Sequence, residues 1–74
     1  MGRTSNDKFP ERLRRLREEK RQSRVVVSEL CGLYRGAVRK YERGEIMPTM
    51  DALIALADYF EVSLDYLCGR TNFR

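Results

Sequence analysis

The chain has 74 residues, a net charge of +4, 42% hydrophobic and 35% charged residues, two cysteines and no histidine. A chain this short makes one small domain with a thin core, and no apolar run approaches the ~20 residues of a membrane-spanning helix. With no histidine and no CxxC pair, a zinc site and histidine-dependent catalysis are both excluded from the expectations. The charge is uneven: residues 1–44 carry thirteen Lys/Arg against six Asp/Glu, a balance of +7, whereas residues 45–74 carry two against five, a balance of −3. A polyanion would meet the first half first.

Residues 1–8 are small, polar and unpatterned, which predicts an N-terminal arm carrying Arg3 and Lys8. The N-terminus has no apolar stretch before residue 25, so no secretory signal is expected and the chain is placed in the cytoplasm. Pro10 suits the first turn of a helix, where its missing N–H costs nothing. Leu13 and Leu16 then share a face, with Phe9 joining them, and Arg12, Arg14, Arg15, Arg17, Lys20 and Arg21 cover the rest as a solvated surface. Some of these arginines are expected near a nucleic-acid backbone.

Ser23 is a natural N-cap for a second helix. The Val25-Val26-Val27 run favours a strand by itself, but Ser28, Glu29, Leu30 and Cys31 continue at helical spacing and no partner strand follows. Val27, the small Ser28 and Cys31 share one face, and Cys31 is expected as a small core residue rather than half of a disulfide. Gly32 ends this helix in a left-handed turn. A third helix is expected over about residues 34–43, with Val38 and Tyr41 pointing inward and Arg35, Gly36, Arg39 and Lys40 outward. Gly36 inside that helix would cost about 1 kcal/mol relative to alanine, which makes sense if something must approach the backbone. Gly44 closes it, Glu45 to Pro48 form a loop, and Thr49 caps a fourth helix whose Met50, Leu53, Ile54, Leu56, Ala57 and Phe60 make an apolar stripe. Ser63 caps a short last helix with Leu64 and Leu67, closed by Gly69, and residues 71–74 are a tail. The expectation is an all-α fold of five short helices without repeats or linkers.

An inner helix, a tight glycine turn and a helix with a basic outer face make a helix-turn-helix, whose second helix enters the DNA major groove. Arg35 has the planar fork that grips guanine O6 and N7, a contact worth about 1–3 kcal/mol of discrimination. Lys40 reaches a second base as a point charge, Gly36 lets the helix sit deep, and Tyr34 packs on a thymine methyl or donates to a phosphate. The bland alternative for Arg35, Arg39 and Lys40 is a merely solvated basic face.

The segments RLRRLREEK, YERGE, the proline loop and LIALADYFEVSLDYLCGR resemble the Cro/cI-type helix-turn-helix family of phage and bacterial repressors, without a gap from about residue 9 to residue 70. The resemblance implies a five-helix, lambda-repressor-like DNA-binding domain over residues 9–70, commonly dimeric on a pseudo-palindromic operator. It places Tyr34, Arg35, Gly36 and Lys40 at base-contacting positions, Arg39 at a base or phosphate, and Arg24 and Arg43 at phosphates. Three positions depart from the pattern. Arg24 stands where glutamine is usual, Tyr34 where serine or threonine caps the recognition helix, and Met47 where a cation precedes the loop proline. A missing cap and one missing phosphate contact are the expected consequences.

The function so implied is sequence-specific binding to a double-stranded DNA operator by a small transcriptional repressor, as a homodimer joined through the last helices and tail. The alternative is a protein-interaction module, such as an antitoxin-like partner with secondary DNA binding, motivated by Asp51, Asp58, Glu61 and Asp65 with Tyr59 or Tyr66. Neither an enzyme nor a cofactor or small-molecule ligand is expected, because no nucleophile–base pair or glycine-rich phosphate loop is present. RNA binding lacks an aromatic stacking platform.

Overall fold

The computed structural model describes residues 8–74; the arm expected over residues 1–8 therefore lies outside the described residues except for Lys8. Five helices follow in order: α1 (Phe9–Glu19), α2 (Arg24–Leu30), α3 (Ala37–Glu42), α4 (Met50–Phe60) and α5 (Leu64–Leu67). The described residues contain no strand, so the valine run is helical, as its register with Ser28 and Cys31 required. Three of the starts are capped as the sequence implies: the side chains of Ser23, Thr49 and Ser63 accept from the N–H of Val26, Ala52 and Tyr66. Each such bond satisfies a donor that the first turn of a helix leaves unpaired.

The core is built from Phe9, Leu13 and Leu16 of α1, Val27 of α2, Ala37, Val38 and Tyr41 of α3, Ala52, Leu56, Ala57 and Phe60 of α4, and Tyr66 and Leu67 of α5. Cys31, Leu33, Leu53, Tyr59 and Val62 pack around it. Helix α3 is held against α1 and α2, and α5 against α1 and α4. The α4 stripe is narrower than the sequence suggested, for Met50 and Ile54 are 62% and 41% exposed. At 3.6 residues per turn, Ile54 lies roughly a third of a turn from the centre of the buried row, outside the stripe that is covered. Leu64 likewise reaches the surface, while Leu67 is buried.

Two of the arginines expected on the solvated face of α1 are drawn inward. Arg12 is buried and donates to the carbonyls of Tyr66 (2.8 Å) and Thr71 (2.7 Å) and to Asn72 Oδ1 (2.8 Å), with its guanidinium 4.2 Å from the Tyr66 ring centre. Arg17 grips Glu42 of α3 with two bonds of 2.6 and 3.0 Å and donates to the Gln22 carbonyl at 2.9 Å. The tail, about which the sequence said little, is tied down by Arg12 and by Arg74, whose guanidinium makes two bonds to Glu19 of α1. Arg74 also accepts the Ser63 N–H on its carbonyl at 2.7 Å.

Helix endings divide into two kinds. Gly32 (φ 74°) makes the turn between α2 and α3 and Gly44 (φ 71°) ends α3, both in the left-handed region where a side chain is costly. The endings of α1 and α4 place charged residues in that same region, Arg21 at φ 56° and Glu61 at φ 57°. For a residue with a side chain this conformation costs about 1–2 kcal/mol.

Candidate nucleic-acid interface

Helix α2, the Gly32 turn and α3 form one unit. The Leu33 N–H returns to the Ser28 carbonyl at 2.8 Å and Leu33 packs against the core, which sets the direction in which the chain leaves α2. The third helix is shorter than the expected residues 34–43. Tyr34, Arg35 and Gly36 precede it in a turn closed by the Ala37 N–H on the Tyr34 carbonyl at 3.0 Å, and Gly36 is the N-cap. The correction changes the account of Gly36: it does not burden a helix interior but occupies an end where glycine is well tolerated. Its φ is ordinary, and a Cβ added to it would meet only the Tyr34 ring, 3.8 Å away. Nothing in the fold demands glycine there.

Gly36 offers no side-chain cap, yet the start of α3 is capped from another helix. The buried hydroxyl of Ser28 accepts the Val38 N–H at 3.0 Å and donates to the Arg24 carbonyl at 2.9 Å. One serine thus satisfies the α3 start and clips it to α2. Sequence reasoning counted Ser28 as merely small; a hydroxyl on the apolar face of α2 was the signal. The Arg17–Glu42 pair does the same from the other side, tying α3 to α1. Glu42 lowers the energy of the charged guanidinium, and the pKa of Arg17 is raised by that bond, with burial acting against it. Both partners are largely out of solvent, with side-chain exposures of 14% and 4%.

Clamped on both sides, α3 turns Arg39 and Lys40 outward. Arg24, Arg35, Gly36 and Arg39, with Ser23 and Val25, line one open groove of about 390 Å³ between the starts of α2 and α3. Arg24, Tyr34, Arg35, Arg39, Lys40 and Arg43 are all exposed. Tyr34 lies beside Gly36, and Lys40 Nζ is 5.9 Å from its ring centre, within cation–π range. Arg35 meets Glu29 only at 3.7 Å, and pairs this exposed are worth little. Arg43 sits apart from the groove, beyond the end of α3, and pairs with Glu45 at 2.8 Å. Of the seven residues singled out from the sequence, four therefore share the groove, Tyr34 and Lys40 stand next to it, and Arg43 stands at the far end. No group of three or more acidic or cysteine side chains among the described residues is arranged to hold a metal ion.

An outward basic helix clipped to a short inner helix through a glycine turn is the arrangement that decides the family. A family model for the helix-turn-helix domain matches residues 9–67. The chain is a Cro/cI-type helix-turn-helix domain. Over 63 residues it is 38% identical to the cryptic phage CTXphi transcriptional repressor RstR of Vibrio cholerae, covering 85% of this chain and 56% of that protein. It is 37% identical over 60 residues to the HTH-type transcriptional regulator AnsR of Bacillus subtilis, covering 81% and 52%. The domain therefore spans about half the length of these relatives. Among solved structures it is similar to the P22 c2 repressor in complex with a synthetic operator, with a TM-score of 0.75, 29% identity and coverage of 80% and 89%. It is also similar to the restriction-modification controller protein C.AhdI of Aeromonas hydrophila, with a TM-score of 0.74, 33% identity and coverage of 81% and 91%. These relatives are regulators of transcription rather than enzymes, and no helix of the described residues is long and apolar enough to cross a membrane.

Proposed function

We propose that this helix-turn-helix domain binds double-stranded DNA sequence-specifically as a small transcriptional repressor, with α3 and the turn before it in the major groove. The observation that carries the reading is the groove shared by Arg24, Arg35, Gly36 and Arg39, which gathers three cations around a backbone position that needs no glycine for folding. Arg35, Arg39 and Lys40 read base edges, Tyr34 packs its ring on a thymine methyl, and Gly36 admits the duplex close to the backbone. Arg24 holds a phosphate at one end of α3 and Arg43 another at the far end, exchanging Glu45 for the DNA. Unlike the base edges, the phosphates are the same at every base pair, so these two contacts fix register and carry no sequence preference.

The working unit in this reading is a homodimer on a twofold-symmetric operator in the cytoplasm, joined through α5 and the tail, where Leu64 and Phe73 are exposed. The test is selection of bound duplexes from a random library, then affinity for the winner across a salt series. A twofold site with half-sites about 34–36 Å apart is expected. Arg35→Ala should cost about 1–3 kcal/mol on the selected site and relax the preference at one base pair, while Arg43→Ala should weaken selected and random DNA by the same factor. If both variants bound the selected site like the parent, the placement of α3 would be wrong.

A further inference from the structure

We infer that Arg21, on the turn between α1 and α2, is a further phosphate-contacting residue of this interface, an inference that rests on the DNA reading above. The starting observation is the backbone. Three helices of this chain end on left-handed glycines, Gly32, Gly44 and Gly69, so the fold has ready access to the cheap solution. At the end of α1 it carries arginine instead, at φ 56°. An unfavourable conformation kept at an exposed site points to a use for the side chain that the fold itself does not have.

The turn around Arg21 is fixed on both sides. Lys20 Nζ lies 5.2 Å from the Tyr59 ring centre, and the Tyr59 hydroxyl donates to Gln22 Oε1 at 2.5 Å, so both neighbours of Arg21 are engaged with α4. The Gln22 carbonyl takes a bond from Arg17, and the Arg21 and Gln22 N–H groups return to the last turn of α1. Arg21 is the exposed residue between two anchored ones. Among the described residues the ion pairs of arginine engage Arg15, Arg17, Arg35, Arg43, Arg70 and Arg74, and not Arg21. Its side chain thus leaves from an ordered backbone and meets no carboxylate among the described residues.

Its position supplies the ligand. Two residues further on, Ser23 begins the groove that Arg24, Arg35 and Arg39 line. Two residues of chain span at most about 7 Å, so Arg21 starts close to the path of any DNA strand that passes Arg24. A phosphate there is met by a cation whose backbone loses little freedom on binding. Glu61 occupies the equivalent left-handed position at the end of α4, in the acidic part of the sequence, and provides a matched comparison within the same molecule.

The test compares the parent with Arg21→Gly, Glu61→Gly and Arg70→Gln on the selected duplex and on random DNA. Glycine suits both left-handed positions, so both glycine variants should fold and melt no lower than the parent. Arg21→Gly should weaken binding to both DNAs by about eightfold near 0.1 M salt, the factor carried by one released counterion, and make the log K against log salt slope shallower by about 0.9. Glu61→Gly, which changes the same backbone conformation, and Arg70→Gln, which removes the same charge elsewhere, should leave that slope unchanged. A parent that binds the selected site while Arg21→Gly keeps its affinity and slope overturns the inference alone. Equal losses in Arg21→Gly and Arg70→Gln overturn it too, since net charge would then explain both. A parent without affinity for any duplex overturns the DNA reading and this inference with it.

Discussion

Ser28 shows how much of the interface rests on one atom. Its hydroxyl is buried, accepts from Val38 and donates to Arg24, so it bridges both sides of the α2–α3 junction. Ser28→Ala keeps the volume nearly unchanged but leaves the Val38 N–H without a partner away from water. A buried donor left unpaired costs about 1–3 kcal/mol. The expected outcome is a loss of that size in denaturant unfolding, with faster amide exchange at Val38 ahead of the rest of α3. Unchanged stability would mean that the serine fills space and nothing more. Gly36 is the complementary residue. Its φ and its open surroundings make the glycine unnecessary for the fold, which is why its use has to be sought outside it. The sequence made Gly36 visible as an oddity but placed it wrongly within a helix; Ser28 was invisible because its partner lies ten residues away across a turn.

The elements were legible wherever the deciding chemistry is local. Ser23, Thr49 and Ser63 cap helices, and Gly32 and Gly44 end them, because each acts on backbone groups within a few residues. The same locality explains the misses. The start of α3 depends on a serine in α2, the burial of Met50 and Ile54 depends on how much of α4 its neighbours cover, and Arg12 and Arg17 depend on partners 25 to 60 positions away. A run of arginines on a helix gives no sign of which ones fold inward. The exposure of Arg39 and Lys40 was legible all the same, since it follows from burial of Val38 and Tyr41 on the opposite face of α3. At this scale the Arg17–Glu42 pair is the joint that fixes the angle of α3 on α1. Removing one member of a buried pair strands the other, at a cost of about 3–5 kcal/mol, whereas replacing both with apolar residues is often neutral. Glu42→Gln is therefore expected to destabilise strongly, and Arg17→Met with Glu42→Leu to recover most of the loss, as read by denaturant midpoints in a double-mutant cycle. Additive losses would show that the pair acts as two separate surface charges.

For the whole molecule, the question is how the tail is joined to α1, because α1 belongs to the positive half of the sequence and the tail to the negative half. Two arginines make the joint by different chemistry. Arg12 binds the carbonyls of Tyr66 and Thr71 and the amide of Asn72, none of which titrates, while Arg74 binds the carboxylate of Glu19. Both guanidinium groups also face the Tyr66 ring, at 4.2 and 5.3 Å. The bonds from Arg74 hold the Glu19 carboxyl below its ordinary value of 4.5, and Glu19 in turn raises the pKa of Arg74. A lowered carboxyl value means that the clasp contributes in full above that ordinary value and fades as the pH falls through the lowered one. Acid should accordingly release the last two residues, Phe73 and Arg74, and leave Thr71 and Asn72 attached through Arg12. The Ser63 N–H, bonded to the Arg74 carbonyl, reports the release: its exchange protection, corrected for intrinsic rate, should be constant from pH 7 to 5 and drop once the pH falls below the ordinary carboxyl value. The Ala52 N–H on the Thr49 cap should not follow it, and Glu19→Gln should show the low protection already at neutral pH. Protection at Ser63 that stayed flat through this range would mean that the backbone bond, and not the carboxylate, holds the end of the chain.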